Sequence, residues 1–292
     1  MGLLDESGAA AEVKVPVHHV YLIPGFFGFA NFGDLKYFSH VRQQLERRFD
    51  DAGIENAIHY VPTLPTAALP RRAARLLEVI ASTAGRGKGP IHLVGHSTGG
   101  LDARLLLAPG MKLPASSSPR RWTDRVRSVV SIASPHLGTP LAGLFNGLAG
   151  QSLLRVMSTI MIHTIRLGSI PLPAALLLTR ALAPQGSLAG LQQTLLEQVY
   201  RLVLRDFSAD RRKQLESFFA DVGEDRTLLA QLVPEAMELL NARATRRRGV
   251  RYGCVVTRAR APHAGAIREL GLQPVNQSMY LVFRALYSAC ST

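Results

Sequence analysis

Hydrophobic and polar positions follow two regimes along this chain. Up to about residue 140, short apolar runs alternate with stretches in which apolar residues recur every three or four positions. The runs are Val15 to Ile23, Ala57 to Val61, Pro90 to Val94 and Val126 to Ile132. Such runs suit strands buried on both faces of a parallel sheet. Between them, Ser39 stands as the N-cap of a helix carrying Val41, Leu45 and Phe49. Pro70 to Thr83 reads as a second helix, with proline in its first turn and Ala73, Leu76, Leu77 and Ile80 on one side. A third carries Leu101, Ala103, Leu105 and Leu106. Polar or Pro/Ser-rich loops (85–89, 109–121) separate these units. The alternation predicts an α/β fold with a doubly wound, mostly parallel sheet.

The second regime covers 141–245, where no strand pattern is evident. Leu144, Leu148, Leu153, Leu154, Met157, Ile160, Met161 and Ile165 repeat at helical spacing, and further helices are predicted over 176–182, 188–204, 213–222 and 234–244. A strand pattern returns at Val250 to Thr257. A Pro/His/Gly loop and an amphipathic helix, Gln277 to Cys290, follow. The predicted organisation is a loose tail (1–13), a core (14–140 and 246–292) and a helical cap inserted at 141–245. An apolar cap suits shielding of a site that takes a greasy substrate; ordinary core helices would give the same periodicity.

Composition narrows the class. The 292 residues are 47% hydrophobic and 19% charged, which suits a globular domain and not a disordered chain. The net charge of +13 comes mostly from dispersed arginines, such as Arg71, Arg72 and Arg75, and Arg246, Arg247 and Arg248. No basic stretch is interleaved with aromatics as a base-stacking platform needs. The charge therefore reads as a solvated surface attracted to anionic interfaces, with no nucleic-acid partner. Of the two cysteines, Cys254 falls inside an apolar strand pattern and is expected in the core; a disulfide to Cys290 stays open. No Cys/His cluster has metal-ligand spacing. The first residues lack the apolar stretch of a signal peptide, and the most apolar region, 152–183, is interrupted by Arg155, Arg166, Pro171, Pro173 and Arg180. A cytoplasmic protein is expected, with secretion by another route left open.

The sharpest chemical signal is Gly95-His96-Ser97-Thr98-Gly99, which fits G-x-S-x-G between a buried strand and a helix. On such a turn the serine sits above the sheet edge. Glycines two residues before and after it remove side chains that would collide. The following helix offers unbonded N–H groups and a positive dipole end to a developing oxyanion. Two more loops lie at the same sheet edge, Pro24-Gly25-Phe26-Phe27-Gly28-Phe29 and Ala133-Ser134-Pro135-His136-Leu137-Gly138-Thr139-Pro140.

With their flanking strands, these three segments resemble the equivalent segments of bacterial triacylglycerol lipases in the α/β-hydrolase superfamily. The match is specific over 17–142 and thin in the cap. The resemblance implies Ser97 as nucleophile, with oxyanion-hole N–H groups from Phe26 and Thr98. The family usually has His-Gly where this chain has Pro24-Gly25, a change that keeps the Phe26 N–H. Phe27 and Phe29 would line an acyl pocket, and Asp102 and Arg104 on the elbow helix would be structural. Such hydrolases need no cofactor; the segment that holds a structural calcium ion in many of them is not recognisable here.

A serine hydroxyl needs a base, and the base needs an orienting acid. In this fold the order is Ser, then Asp or Glu after a late strand, then His. After Ile132 the first Asp is Asp206, inside the cap, and after Thr257 the acid is Glu269, on a helical stretch. The base expected from position is His263; His163 in the cap and His136 beside a strand end are the other histidines considered. This pattern predicts a catalytic domain that stops before its acid and base. The expected function is ester hydrolysis on apolar acyl chains, with a lipid or ester substrate and transient contact with a lipid interface. The alternatives are a non-catalytic lipid- or partner-binding protein, and an acyltransferase or thioesterase on the same fold.

Overall fold

The computed structural model describes residues 16–26, 37–84, 87–116, 122–145, 148–168, 170–181, 193–224, 227–263 and 265–271, and beyond them 273, 276–277, 279–280, 283–284 and 287–288. Strands form where the short apolar runs stand. β1 (His18–Ile23), β2 (Asn56–Tyr60), β3 (Ile91–His96), β4 (Val126–Ile132) and β5 (Arg251–Val255) make one sheet in the order β2-β1-β3-β4-β5. Every pairing is parallel.

Successive residues of a strand point to opposite faces, and β1 shows what this does. Tyr21 and Ile23 enter one core with Leu76, Leu77 and Ile80 of α2 (Leu69–Thr83) and Leu101 and Leu105 of α3 (Thr98–Leu107). Val20 and Leu22 enter another with Phe38, against which Leu45 and Phe49 of α1 (Ser39–Asp51) pack. The sheet is therefore wound on both sides, as the strand–helix alternation predicts. Full burial of one such side chain stabilises by up to about 1.5–3 kcal/mol.

Among the described residues between β4 and β5 the regular elements are helices: α4 (Pro140–Phe145), α5 (Leu148–Leu167), α6 (Leu172–Ala181), α7 (Gln193–Leu204), α8 (Ala209–Glu224), α9 (Thr227–Gln231) and α10 (Pro234–Arg243). α5 to α8 gather around a core of their own, which includes Val156, Ile160, Leu178, Val199, Val203 and Leu215. Leu228 of α9 and Met237 of α10 return to the main core. α11 (Ala266–Glu269) follows β5 and ends at Glu269, the acid read as lying on a helical stretch. The described residues between 276 and 288 are helical; the tail 1–13 and Cys290 lie outside the described residues.

Two expectations need correction. Ser39 is the first helical residue rather than the N-cap; Phe38 holds that place, with no side-chain cap bond. Cys254 is exposed and unbridged, not buried. It lies on β5, an edge strand of this sheet, where Val255 is 49% exposed. An apolar run identifies a strand but does not say whether neighbours cover it.

Two histidine pairs straddle the start of β1. His18 Nδ1 lies 3.2 Å from His92 Nε2, and His92 Nδ1 lies 2.8 Å from Ser128 Oγ. On the other face His19 Nδ1 lies 3.0 Å from His59 Nε2. Burial, and then the charges of His18, Arg251 and Arg127, push His92 down to about 4. A folded-state value below the ordinary 6.5 means that its contribution is complete above pH 6.5 and is lost as pH falls towards 4. Urea unfolding near pH 7 and near pH 4.5 tests this: His92→Gln removes about 1 kcal/mol of the acid destabilisation, after allowance for solvent screening. Equal pH dependence in both proteins would contradict the assignment.

Candidate active site at the Ser97 elbow

Ser97 has φ 52° and ψ −126°. A residue with a side chain occupies this region at a cost of about 1–3 kcal/mol, so the surroundings must enforce it. The Ser97 N–H donates to the Ile132 carbonyl at 2.9 Å, and the Gly100 N–H donates to the Ser97 carbonyl at 3.1 Å. The flanking glycines are needed for space. A Cβ on Gly95 would lie 2.4 Å from the Gly100 nitrogen, and one on Gly99 would lie 2.2 Å from the Ile23 carbonyl oxygen. The spacing of the pentapeptide is thus the spacing of two backbone crossings. The Ser97 side chain is half-buried.

The Pro24-Gly25-Phe26 segment lies against this serine. A Cβ on Gly25 would come within 2.5 Å of Ser97 Cβ and 3.0 Å of Ser97 Oγ. Phe26 packs against both the main core and the helical core of α5 to α8. Thr98 opens α3 and is 1% exposed, and its Oγ1 is buried without a hydrogen-bond partner. The structure thus brings Ser97, Thr98 and the Phe26 segment together. Phe27 and Phe29 lie outside the described residues.

Sequence reasoning missed the group that ties these parts. Arg72 of α2 is fully buried and forks onto Asp102 of α3, with Nη2 2.7 Å from Oδ2 and Nε 3.1 Å from each carboxylate oxygen. Its Nη2 also donates to the Pro24 carbonyl at 3.1 Å, and its Nη1 donates to the Leu64 and Pro65 carbonyls. One guanidinium therefore holds the elbow helix to the segment over Ser97. Burial pushes the Asp102 carboxyl up, while the Arg72 charge and hydrogen bonds oppose it. Read by charge, Arg72 belonged with Arg71 and Arg75 on a solvated surface. The overlooked signal was its place in the stripe Leu69, Arg72, Ala73, Leu76, Leu77, Ile80, all buried on α2. Arg104, expected to be structural, donates to Asn241 Oδ1 at 2.6 Å and to the Ala244 carbonyl at 3.1 Å.

The rings of His96, His136 and His163 are engaged elsewhere. His96 Nδ1 meets the Tyr37 hydroxyl; burial lowers His96 and pushes Tyr37 up to about 12. His136 Nε2 lies 3.0 Å from Ser131 Oγ. His163 Nε2 lies 2.8 Å from Asp206 Oδ2, a histidine–acid pair between α5 and the segment after α7. His263 is exposed, and its backbone N–H and carbonyl meet the Tyr280 hydroxyl. Among the described residues no hydrogen bond joins any of these rings to Ser97. Nor does any group of three or more His, Cys, Asp or Glu among them suit a metal ion.

A parallel sheet ordered β2-β1-β3-β4-β5, with a strained serine between its central strand and the next helix, defines an α/β-hydrolase fold. No protein-family model and no curated protein matches the chain. Among solved structures it is similar to lipase 1 from Pelosinus fermentans, at 18% identity and a TM-score of 0.42 over 80% of this chain and 66% of that one. It is also similar to EstA from Clostridium botulinum, at 18% identity and a TM-score of 0.42 over 80% and 59%. A third is the metagenomic carboxyl esterase MGS0156, at 19% identity and a TM-score of 0.35 over 94% and 76%. The chain thus spans less than two thirds of the length of the first two. The fold assignment rests on the strand order and the elbow.

Removing one partner of the buried pair leaves the other charge uncompensated, so Asp102→Leu is expected to cost about 3–5 kcal/mol in urea unfolding. The double variant Arg72→Met/Asp102→Leu should recover part of that. A single variant within about 0.5 kcal/mol of the parent, the range of an uninvolved surface site, would remove the pair from its structural role.

Proposed function

We propose that the chain is a serine hydrolase of lipase or esterase type acting on carboxylic esters with apolar acyl chains. The observation that carries this reading is the backbone of Ser97, strained and pressed against Gly25. That conformation costs stability, and a solvent-facing turn serine has no use for it. In the proposed reaction Ser97 Oγ attacks the ester carbonyl, and its proton passes through a general base, proposed as His263, to the departing alcohol. The N–H groups of Phe26 and Thr98 receive the oxyanion, the alcohol leaves, and water then releases the acid from the acyl-enzyme. The packing of Phe26 against the α5–α8 core supports an apolar acyl side to the site. Phe27 and Phe29 are proposed to extend it, and transient contact with a lipid interface fits the positive charge.

A second reading, a lipid- or partner-binding protein on a hydrolase fold, is favoured by one observation. Two of the candidate imidazoles are bonded to groups other than Ser97, His163 to Asp206 and His136 to Ser131. His263 remains a proposed base on position alone.

A fluorophosphonate probe combined with p-nitrophenyl esters of graded chain length separates the readings. The hydrolase reading expects labelling and ester cleavage, both abolished in Ser97→Ala. It expects Gly25→Ala to lower both by at least about tenfold, since displaced oxyanion donors typically cost ~10²–10³ in rate. A folded sample that neither labels nor cleaves any ester supports the binding protein.

A further inference from the structure

A cavity of about 430 Å³ opens between α3, β4, β5 and α10, beside the elbow but not lined by Ser97. Arg104, His136, Asn241, Arg246, Tyr252 and Cys254 contribute to its wall, together with apolar Val129 and Leu137. No aspartate or glutamate lines it. Arg104 gives its hydrogen bonds to neutral acceptors, the Asn241 amide oxygen and the Ala244 carbonyl. Its charge is therefore not compensated by a carboxylate among the described residues. Arg246 lies over the Tyr252 ring, with its guanidinium carbon 5.7 Å from the ring centre. His136 uses Nε2 on Ser131, while its Nδ1 is buried without a partner. Burial first, and then the charge of Arg246, lowers Arg104; burial, and then both arginines, lowers His136. Two guanidiniums and an imidazole thus crowd one another on one wall of the cavity.

We infer that this cavity binds a carboxylate carried on an apolar stem. Two guanidiniums offer the charge-assisted, fork-shaped bonds that a carboxylate accepts. Compensating their mutual repulsion strengthens such bonds in a partly desolvated site. Val129, the Tyr252 ring and Leu137, which is 80% exposed, leave the rest of the volume apolar. That combination, a few polar groups fixing one end and apolar walls holding the other, is how small-molecule sites gain orientation. The inference does not depend on Ser97 being an active nucleophile.

Cys254 is exposed and lines the cavity, so its alkylation reports occupancy directly. The rate of modification by iodoacetamide, a neutral reagent, is measured in a Ser97→Ala/Cys290→Ser background with octanoate, octanol or inorganic phosphate. Octanoate should slow alkylation by at least about fivefold, equivalent to about 1 kcal/mol. Octanol and phosphate should do markedly less, and Arg246→Gln, a change at an exposed side chain, should abolish most of the octanoate effect. Four results would each overturn the inference: no protection by octanoate, equal protection by octanol, protection by phosphate alone, or undiminished protection in Arg246→Gln. Because the background lacks the Ser97 hydroxyl, failure here leaves the hydrolase reading untouched, and the reverse holds as well.

Discussion

The buried ion pair of Arg72 and Asp102 is the constraint on which the site region depends. Two fully desolvated charges are expensive unless every donor and acceptor finds a partner. Here the guanidinium finds the carboxylate and three main-chain carbonyls, those of Pro24, Leu64 and Pro65. The carbonyls fix where the segment after β1 and the segment after β2 must run. The carboxylate fixes α3. A purely apolar contact of the same volume would stabilise the packing equally well but would not select one position for the Pro24 carbonyl. The pair therefore specifies geometry more than it adds stability.

Geometry is what the elbow needs. Ser97 can hold its strained dihedrals because the backbone around it is crossed closely on three sides, by Gly25, by the turn Gly99-Gly100 and by the end of β4. Each crossing requires a position without a side chain, which is why glycines cluster there. The helical core of α5 to α8 meets this region through Phe26, a residue shared between the two cores. Whatever shifts those helices is thereby coupled to the segment that lies on the serine.

Much of this was legible in the sequence, for physical reasons. A central parallel strand is largely apolar on both faces, so β1, β3 and β4 stood out as short, mostly apolar runs, and the elbow could be recognised because its glycines serve steric space, which leaves a fixed spacing. Exposure on β5 was not legible, since Cys254 and Val255 look like core residues until the sheet order puts their strand on an edge. Arg72 was misjudged because residue type suggested a surface while position in an apolar stripe implied burial; position was the better guide. The His163–Asp206 contact joins residues far apart in sequence, and no local pattern predicts such a meeting.

The central proposal is that the backbone folded over Ser97 forms an oxyanion site with Phe26 on one side and Thr98 on the other. The most direct test is a crystal structure of the protein after reaction with an alkyl phosphonate ester. The account predicts a covalent bond from Ser97 Oγ to phosphorus, the phosphonyl oxygen held by the N–H groups of both Phe26 and Thr98, and the alkyl chain directed towards the α5–α8 core. An adduct on another residue, or a phosphonyl oxygen turned away from those two N–H groups, would contradict it.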